Sequence, residues 1–376
     1  MQTSSLTFCF VWHAHQPFFI PDDEIRWRVD ASYIPLIDAF TSRKLPLALS
    51  ITSGTLERIE HLRPDFIDEL RNHINCGSIT LLGSLAHHPI LPRLTTEFAK
   101  LHIDQDLTKK KELGLKTASI LWPTELAFNL RCAALSTEYG YRAAILDSSS
   151  RDLSDTTPTW IQTSNGLSPT LPSAPTARPD TVAELFDIGT NRASFKMMFR
   201  ERSLTEALSQ ASQDIGGYEN AFMAAARRLV PSRASESRTL LFAEDIERVF
   251  PTNYQEFLCI LDCLLTETHA VHDITTVFDA PASEYSYLPG TTMEVTERMW
   301  FAAADDSWFA NYLLELCERA RETFDILNPE SDLEKNIVKG LLESQDSGFH
   351  VWHFVSRSRR PFFDKLSQIE HMLGKL

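Results

Sequence analysis

The sequence predicts an α/β chain, with a (β/α)7 barrel-like domain followed by a C-terminal helical domain. Three observations carry that expectation. Short apolar runs alternate with helix-length amphipathic segments up to about residue 250, the pattern of parallel strands joined by crossover helices. Most of those runs end in a polar or charged residue. After Phe250 the rhythm stops, and the remainder of the chain reads as mainly helical.

The first run, Leu6 to Trp12, passes into His13-Ala14-His15-Gln16-Pro17. In extended chain His13 and His15 point the same way. Arg26 to Arg43 has helical periodicity through Tyr33, Leu36, Ile37 and Phe40. A second strand, Leu45 to Ile51, ends at Thr52-Ser53-Gly54, and a helix follows over Thr55 to Asn75. The third strand, Ser78 to Leu82, leads to His87-His88-Pro89-Ile90-Leu91-Pro92, and Thr95 to Leu115 is a helix with a basic end. Ser119 to Trp122 is the fourth strand. It is closed by Pro123, with Glu125 just past its carboxyl end, where α/β folds place their chemistry. A helix over Asn129 to Tyr139 has Gly140 as its C-cap, and Arg142 to Asp147 is the fifth strand. The Ser/Thr/Pro-rich stretch 148–180, with a Trp160-Ile161-Gln162 island, reads as a long loop or hairpin over the site. Ser194 to Phe199 is the sixth strand and ends at Arg200. Leu204 to Leu229 is helical with a break at Gly216-Gly217, and Thr239 to Ala243 is the seventh strand, ending in Glu244-Asp245-Ile246-Glu247. Helices are expected over Tyr254 to Thr268, Thr296 to Leu327, Leu333 to Leu342 and Arg360 to Leu376, with a loop-rich Val271 to Pro289. The barrel is assigned to 1–252 and the helical domain to 253–376.

Composition narrows the function. Hydrophobic residues make up 43% and charged residues 23%, ordinary for a globular protein. The net charge of −15 disfavours nucleic acid or an anionic membrane as partner, because both need a basic face. It is compatible with a neutral substrate such as a sugar. Six cysteines in mostly apolar surroundings, with no CxxC, point to a reducing, cytoplasmic compartment. The N-terminal apolar run carries two histidines and reads as strand, not signal peptide, and no stretch is long and apolar enough to span a membrane.

Seven strand ends thus carry His13 and His15, Ser53, His88, Glu125, Asp147, Arg200 and Asp245, and one face of a barrel would gather them. Two carboxylates far apart in sequence, each after an apolar strand, suit glycoside chemistry, in which one attacks the anomeric carbon and the other protonates the leaving oxygen. His, Arg and Trp around them supply hydroxyl hydrogen bonds and an apolar plane. Two other readings are open. His13, His15 and Asp147 can be metal ligands of a metal-dependent carbohydrate hydrolase or deacetylase. A non-catalytic sugar-binding or regulatory protein is the second.

These segments resemble glycoside hydrolase family 57. His13-Ala14-His15-Gln16-Pro17 is similar to its first signature, and Leu81 to Pro92 to its second region. Trp122-Pro123-Thr124-Glu125 resembles the third signature, whose Glu is the nucleophile. Phe242-Ala243-Glu244-Asp245-Ile246-Glu247 resembles the fourth, whose Asp is the general acid/base. Phe199 to Leu204, Asp305-Asp306-Ser307-Trp308 and Glu343 to Ser347 are similar to further family segments, the last including the fifth signature. The resemblance implies a seven-stranded barrel followed by helices. It also implies a retaining mechanism without metal or other cofactor, and an α-linked glucan as substrate. Carried onto this chain, it implies Glu125 as nucleophile and Asp245 as acid/base. Substrate binding falls to His13, His15, Gln16, His88, Trp122, Arg200, Trp308, Gln345 and Asp346. Thr124 stands where many members have Pro, and Ile246 where many have Gly. The chain is shorter than members with a large C-terminal β domain, which favours a compact enzyme.

Overall fold

The computed structural model describes residues 6–147, 159–163, 166–170, 182–188, 193–211, 218–229, 238–267, 269–279, 283–284, 307–346 and 360–376. The barrel strands are β1 (Leu6–Ala14), β2 (Leu47–Ile51), β3 (Ile79–Gly83), β4 (Thr117–Leu121) and β5 (Ala143–Asp147). After β6 (Thr159–Thr163), β7 (Gly166–Thr170) and β8 (Val182–Ile188) come the last two, β9 (Ala193–Arg200) and β10 (Arg238–Asp245). Their order is β10-β1-β2-β3-β4-β5-β9, every neighbour is parallel, and Leu241 opposite Arg200 closes the ring. β6 and β7 form an antiparallel hairpin within the Ser/Thr/Pro-rich stretch, and β8 pairs antiparallel with β9. The rest of 148–180 lies outside the described residues.

Strand alternation sorts the side chains. Phe8, Phe10 and Trp12 of β1 face outward with Leu47, Leu49, Ile51 and Phe242 into a core under the helices on that side. Cys9 and Val11 face inward with Ala48, Leu82, Ile120, Ile145, Met198, Leu241 and Ala243, filling the barrel. A third core joins Leu121, Leu146, Met197 and Phe199 to Leu316, Leu341 and Leu366 of the C-terminal helices. The barrel is therefore a packed interior, and only its last inward layer is left for polar groups.

Two elements differ from the sequence expectation. The helix expected over Thr55 to Asn75 is two, Ser53–Leu62 and Pro64–Asn75, broken at Arg63 (φ −145°, ψ 65°). Pro64 lacks an N–H and drives the residue before it out of the helical region. The loop expected from Val271 contains Ala270–Val271, paired with β1, and the helix Ile274–Asp279, whose Ile274 and Val277 join the barrel's interior cluster. Helix Tyr254–Thr266 lies where a helix was expected and packs Phe257, Ile260, Leu261 and Leu264 into the outer core of β1. The helices remote from this side are Ser307–Thr323, Asp332–Ser344 and Arg360–Leu373. Ser331 caps the second of these in a reciprocal capping box with Glu334, and Asn129 caps helix Leu130–Glu138.

Phe242 touches Phe10, Trp12 and Phe222 with ring centroids 5.3–5.8 Å apart and is fully buried. Phe242→Ala opens a cavity at this junction. Denaturant titration should show a loss of about 3–5 kcal/mol, whereas truncating exposed Trp27, at 53% exposure, should leave stability nearly unchanged.

Candidate active site

The inward parity of each strand ends on a polar residue. His13 is opposite Asp245 in the β1–β10 register and opposite Ser50 in the β1–β2 register. His13 Nδ1 is 3.2 Å from Ser50 Oγ. Asp147 is opposite Arg200 in the β5–β9 register, and Trp122 follows β4 directly. The carboxyl ends of six of the seven strands thus present His13, Ser50, Trp122, Asp147, Arg200 and Asp245 to one mouth.

Four rings form a column there. His15 lies against His88 (centroids 4.5 Å apart, planes 21°), His88 against His13 (4.7 Å, 20°), and His13 against Trp122 (5.0 Å, 6°). Burial, together with the neighbouring imidazoles, pushes the proton affinity of His13 and His88 well below the usual histidine value, with Lys110 adding to the effect on His13. Burial thus favours the neutral form of the two inner imidazoles, His13 and His88. Trp122 is 4% exposed, so it backs His13 as a wall and offers no open stacking face. His13 Nε2 and Trp122 Nε1 are buried and have no hydrogen-bond partner among the described residues. Leaving such a group unmet costs about 1–3 kcal/mol, a penalty that a ligand hydroxyl relieves.

His15 is held at both nitrogens, by Thr52 Oγ1 at 3.0 Å and by Asp346 Oδ2 at 2.8 Å. Asp346 reaches it because the segment after helix Asp332–Ser344 forms an antiparallel bridge with Pro89, next to His88. Ligand-type atoms of His15, His88 and Asp346 lie within 4.8 Å of one another. The ligands named for the alternative, metal-dependent reading, His13, His15 and Asp147, are not the set grouped here. Asp147 is tied to Arg200 Nε at 2.7 Å and lies 3.9 Å from Arg202.

Glu125 stands in a 3₁₀ turn after Pro123 with φ 55° and ψ 16°, and Leu126 follows at φ 57°. Two successive left-handed residues that are not glycine cost on the order of 1–3 kcal/mol each and recur at functional sites. Asp245 is half-buried at the end of β10. Burial pushes its carboxyl well above the usual range. The charges of Glu244, Glu125 and Glu247 push it further, against Arg248. Glu125 therefore acts on Asp245 across the mouth, from β4 to β10. Ile246, the bulky residue beside Asp245, is 1% exposed and packs outward into the core, so it leaves the mouth open. Thr124 is buried at 1% exposure.

Other residues named from the sequence have partners within the fold. Arg200 bonds Asp147 and the Ala243 carbonyl (3.0 Å), clamping β5, β9 and β10 together. The Gln345 amide is spent on His102 Nε2 (2.9 Å) and Cys317 Sγ (3.5 Å), behind the site. Trp308 lies in helix Ser307–Thr323, its side chain outside the described residues. Gln16 is buried, and its Nε2 donates to Tyr33 Oη at 2.7 Å and to Glu247.

Sequence reasoning missed Glu247, Tyr33, Ser50 and Thr52. Tyr33 sits in a π-helical turn, Val29–Tyr33, and its hydroxyl donates to Glu247. Burial raises the Glu247 carboxyl against the lowering effect of that hydrogen bond. The available signal was a third acid two residues after Asp245, which also fits an acidic helix start.

The family description "Glycosyl hydrolase family 57" matches residues 9–260. A curated "Alpha-amylase" from Pyrococcus horikoshii is 25% identical over 143 residues, 38% of this chain and 22% of that protein. Among solved structures, a 4-alpha-glucanotransferase from Thermococcus litoralis superposes with TM-score 0.67 at 15% identity, covering 92% of this chain and 56% of that one. A GH57 branching enzyme from Thermococcus kodakaraensis gives TM-score 0.71 at 12% identity, covering 98% and 89%. The chain thus spans about a fifth of the curated relative and little more than half of the glucanotransferase. With a parallel seven-stranded barrel whose mouth carries the motif residues, and a family match over more than half its length, the chain belongs to glycosyl hydrolase family 57.

Proposed function

We propose that this protein is a retaining glycoside hydrolase or transglycosidase acting on α-1,4-linked glucan or a related α-glycoside. Glu125 is its nucleophile and Asp245 its general acid/base. The observation that carries the reading is the pair itself: a carboxylate on a strained turn at one strand end raises the proton affinity of a carboxyl at another. Asp245 then starts the reaction protonated. Glu125 attacks the anomeric carbon as the glycosidic bond breaks, and the Asp245 proton goes to the leaving oxygen. The Glu125 charge is lost in the glycosyl ester, and with it part of what held the proton on Asp245. Asp245 becomes a base, takes a proton from water or a sugar hydroxyl, and that oxygen displaces Glu125. Two displacements retain the anomeric configuration.

The ring column supplies the sugar-facing wall. His13 Nε2 and Trp122 Nε1 are available to sugar hydroxyls, and His15 is aimed by Thr52 and Asp346. His88 and Gln16 complete this wall. The names of relatives, an alpha-amylase, a 4-alpha-glucanotransferase and a branching enzyme, support an α-glucan substrate. All six cysteines are free, which supports a cytoplasmic location. The Ser/Thr/Pro-rich stretch 148–180 is proposed to decide between water and sugar as acceptor.

Incubation with maltoheptaose tests the reading. Shorter products alone indicate hydrolysis, and longer products as well indicate transfer. Glu125→Gln should abolish both, and undiminished turnover in that variant would sink the assignment. Asp245→Asn should lower kcat by about 10²–10⁴-fold on a substrate with a poor leaving group, and far less on an activated aryl glycoside.

A stability measurement tests the electrostatics separately. Because the folded-state pKa of Asp245 is raised, its stabilising contribution is full below the unfolded value of about 3.9. That contribution is lost as pH rises through the folded value. Asp245→Asn should therefore gain Tm over the parent protein at pH 8, with the gain shrinking towards pH 4.

A further inference from the structure

We propose that the buried pair Asp106–Lys110 is the positioning element of the ring column, fixing the carboxyl ends of β2 and β3 from which Thr52, His88 and Trp122 are aimed. The inference rests on the column being the sugar-facing wall and goes beyond it by naming what aims it.

Both side chains lie one turn apart on helix Thr96–Glu112 and are fully buried. Lys110 Nζ donates to Asp106 Oδ2 at 2.7 Å and to the Leu82 carbonyl at 3.0 Å. Asp106 accepts the Ser53 N–H through Oδ1 at 3.1 Å and the Ser84 N–H through Oδ2 at 3.0 Å. Ser53 opens a helix, so its N–H has no intrahelical acceptor, and Ser84 is the first residue past β3. One ion pair thus binds two adjacent strand ends to one helix.

The column hangs from the same backbone. Thr52, beside Ser53, bonds His15. The Gly54 N–H donates to the Ala86 carbonyl at 2.9 Å, two residues before His88. The Trp122 N–H donates to the Gly83 carbonyl at 2.9 Å, beside Ser84. His13 meets Ser50 of β2, on the strand that leads into Thr52. Each ring is therefore close in chain, or through one hydrogen bond, to backbone held by this pair.

Energetics favour positioning over stability as its role. Each buried charge costs several kcal/mol in desolvation, and apolar side chains of similar volume are often as stable or more so. What they cannot do is accept the Ser53 and Ser84 N–H groups and hold both strand ends in one register.

The test uses the full chain with Asp106→Leu/Lys110→Met and, separately, Asp106→Asn, which keeps one oxygen acceptor. Tm, imidazole ¹H–¹⁵N spectra and maltoheptaose turnover are read together. The double variant should fold with a Tm lowered by the two unmet N–H groups, shift the His15 and His88 signals, leave that of remote His73 in place, and lose about 10²-fold in kcat, the scale of a misplaced reacting geometry. If the double variant does not fold, Asp106→Asn decides alone, with the same signals shifting and kcat falling. A folded variant whose His15 and His88 signals and turnover match the parent overturns the proposal. Should the parent itself turn over no maltoheptaose, the α-glucan assignment fails, while the histidine spectra still judge the positioning.

Discussion

The two-residue alternation of parallel strands is the constraint on which the rest of the structure depends. In β1 it sends Phe8, Phe10 and Trp12 outward to the helices, and Cys9, Val11 and His13 inward. A one-residue slip in β1 would bury His13 under helices and push Trp12 into the mouth. The same parity in β2, β5, β9 and β10 delivers Ser50, Asp147, Arg200 and Asp245 to the last inward layer. The apolar layers below that last one exclude water from the barrel, so the polar layer sits on a low-dielectric floor. That floor accounts for the direction of the shifts at His13, His88 and Asp245, where burial is the largest cause each time.

Much of this was legible in the sequence because alternation and strand-end polarity are local signals. The seven barrel strands lie where the apolar runs do, and Gly140, expected as a C-cap, has φ +82°. What was not legible depends on partners distant in the chain. The bonds of Arg200 to Asp147 and to the Ala243 carbonyl cannot be read from its place at a strand end. Gln345 sits in the matching motif, yet its amide turns to His102, 243 residues away. Glu247 and Tyr33, 214 residues apart, meet at the end of a π-helical turn, and no periodicity announces that. Pro64 is a local signal too, but the charged face runs on through both helices and masks the break.

The C-terminal helices complete the site as well as covering the barrel. Their core joins the outer faces of β4, β5 and β9. The turn after helix Asp332–Ser344 is thereby brought to Pro89, and Asp346 to His15, 331 residues away in sequence. A barrel ending at residue 252 would lack this carboxylate. The His15 ring would then lose the partner of its Nε2 and keep only Thr52 to orient it.

Two features of the mouth work against stability, and they are the two assigned to chemistry. Glu125 occupies a left-handed conformation that a non-glycine residue adopts at a cost, and Asp245 shares a low-dielectric space with three other carboxylates. Neither is explained by packing. Ile246 and Leu126, their chain neighbours, are both buried at 5% exposure or less. Those apolar anchors hold the acids in place: each strained or crowded carboxylate is followed at once by a side chain driven into a core. The hydrophobic burial of Leu126 and Ile246, about 1.5–3 kcal/mol apiece, is of the size needed to offset the strain on the adjoining turn. A bulky residue after the acid, at first sight an obstruction, is thus better understood as the weight that keeps Asp245 turned to the mouth.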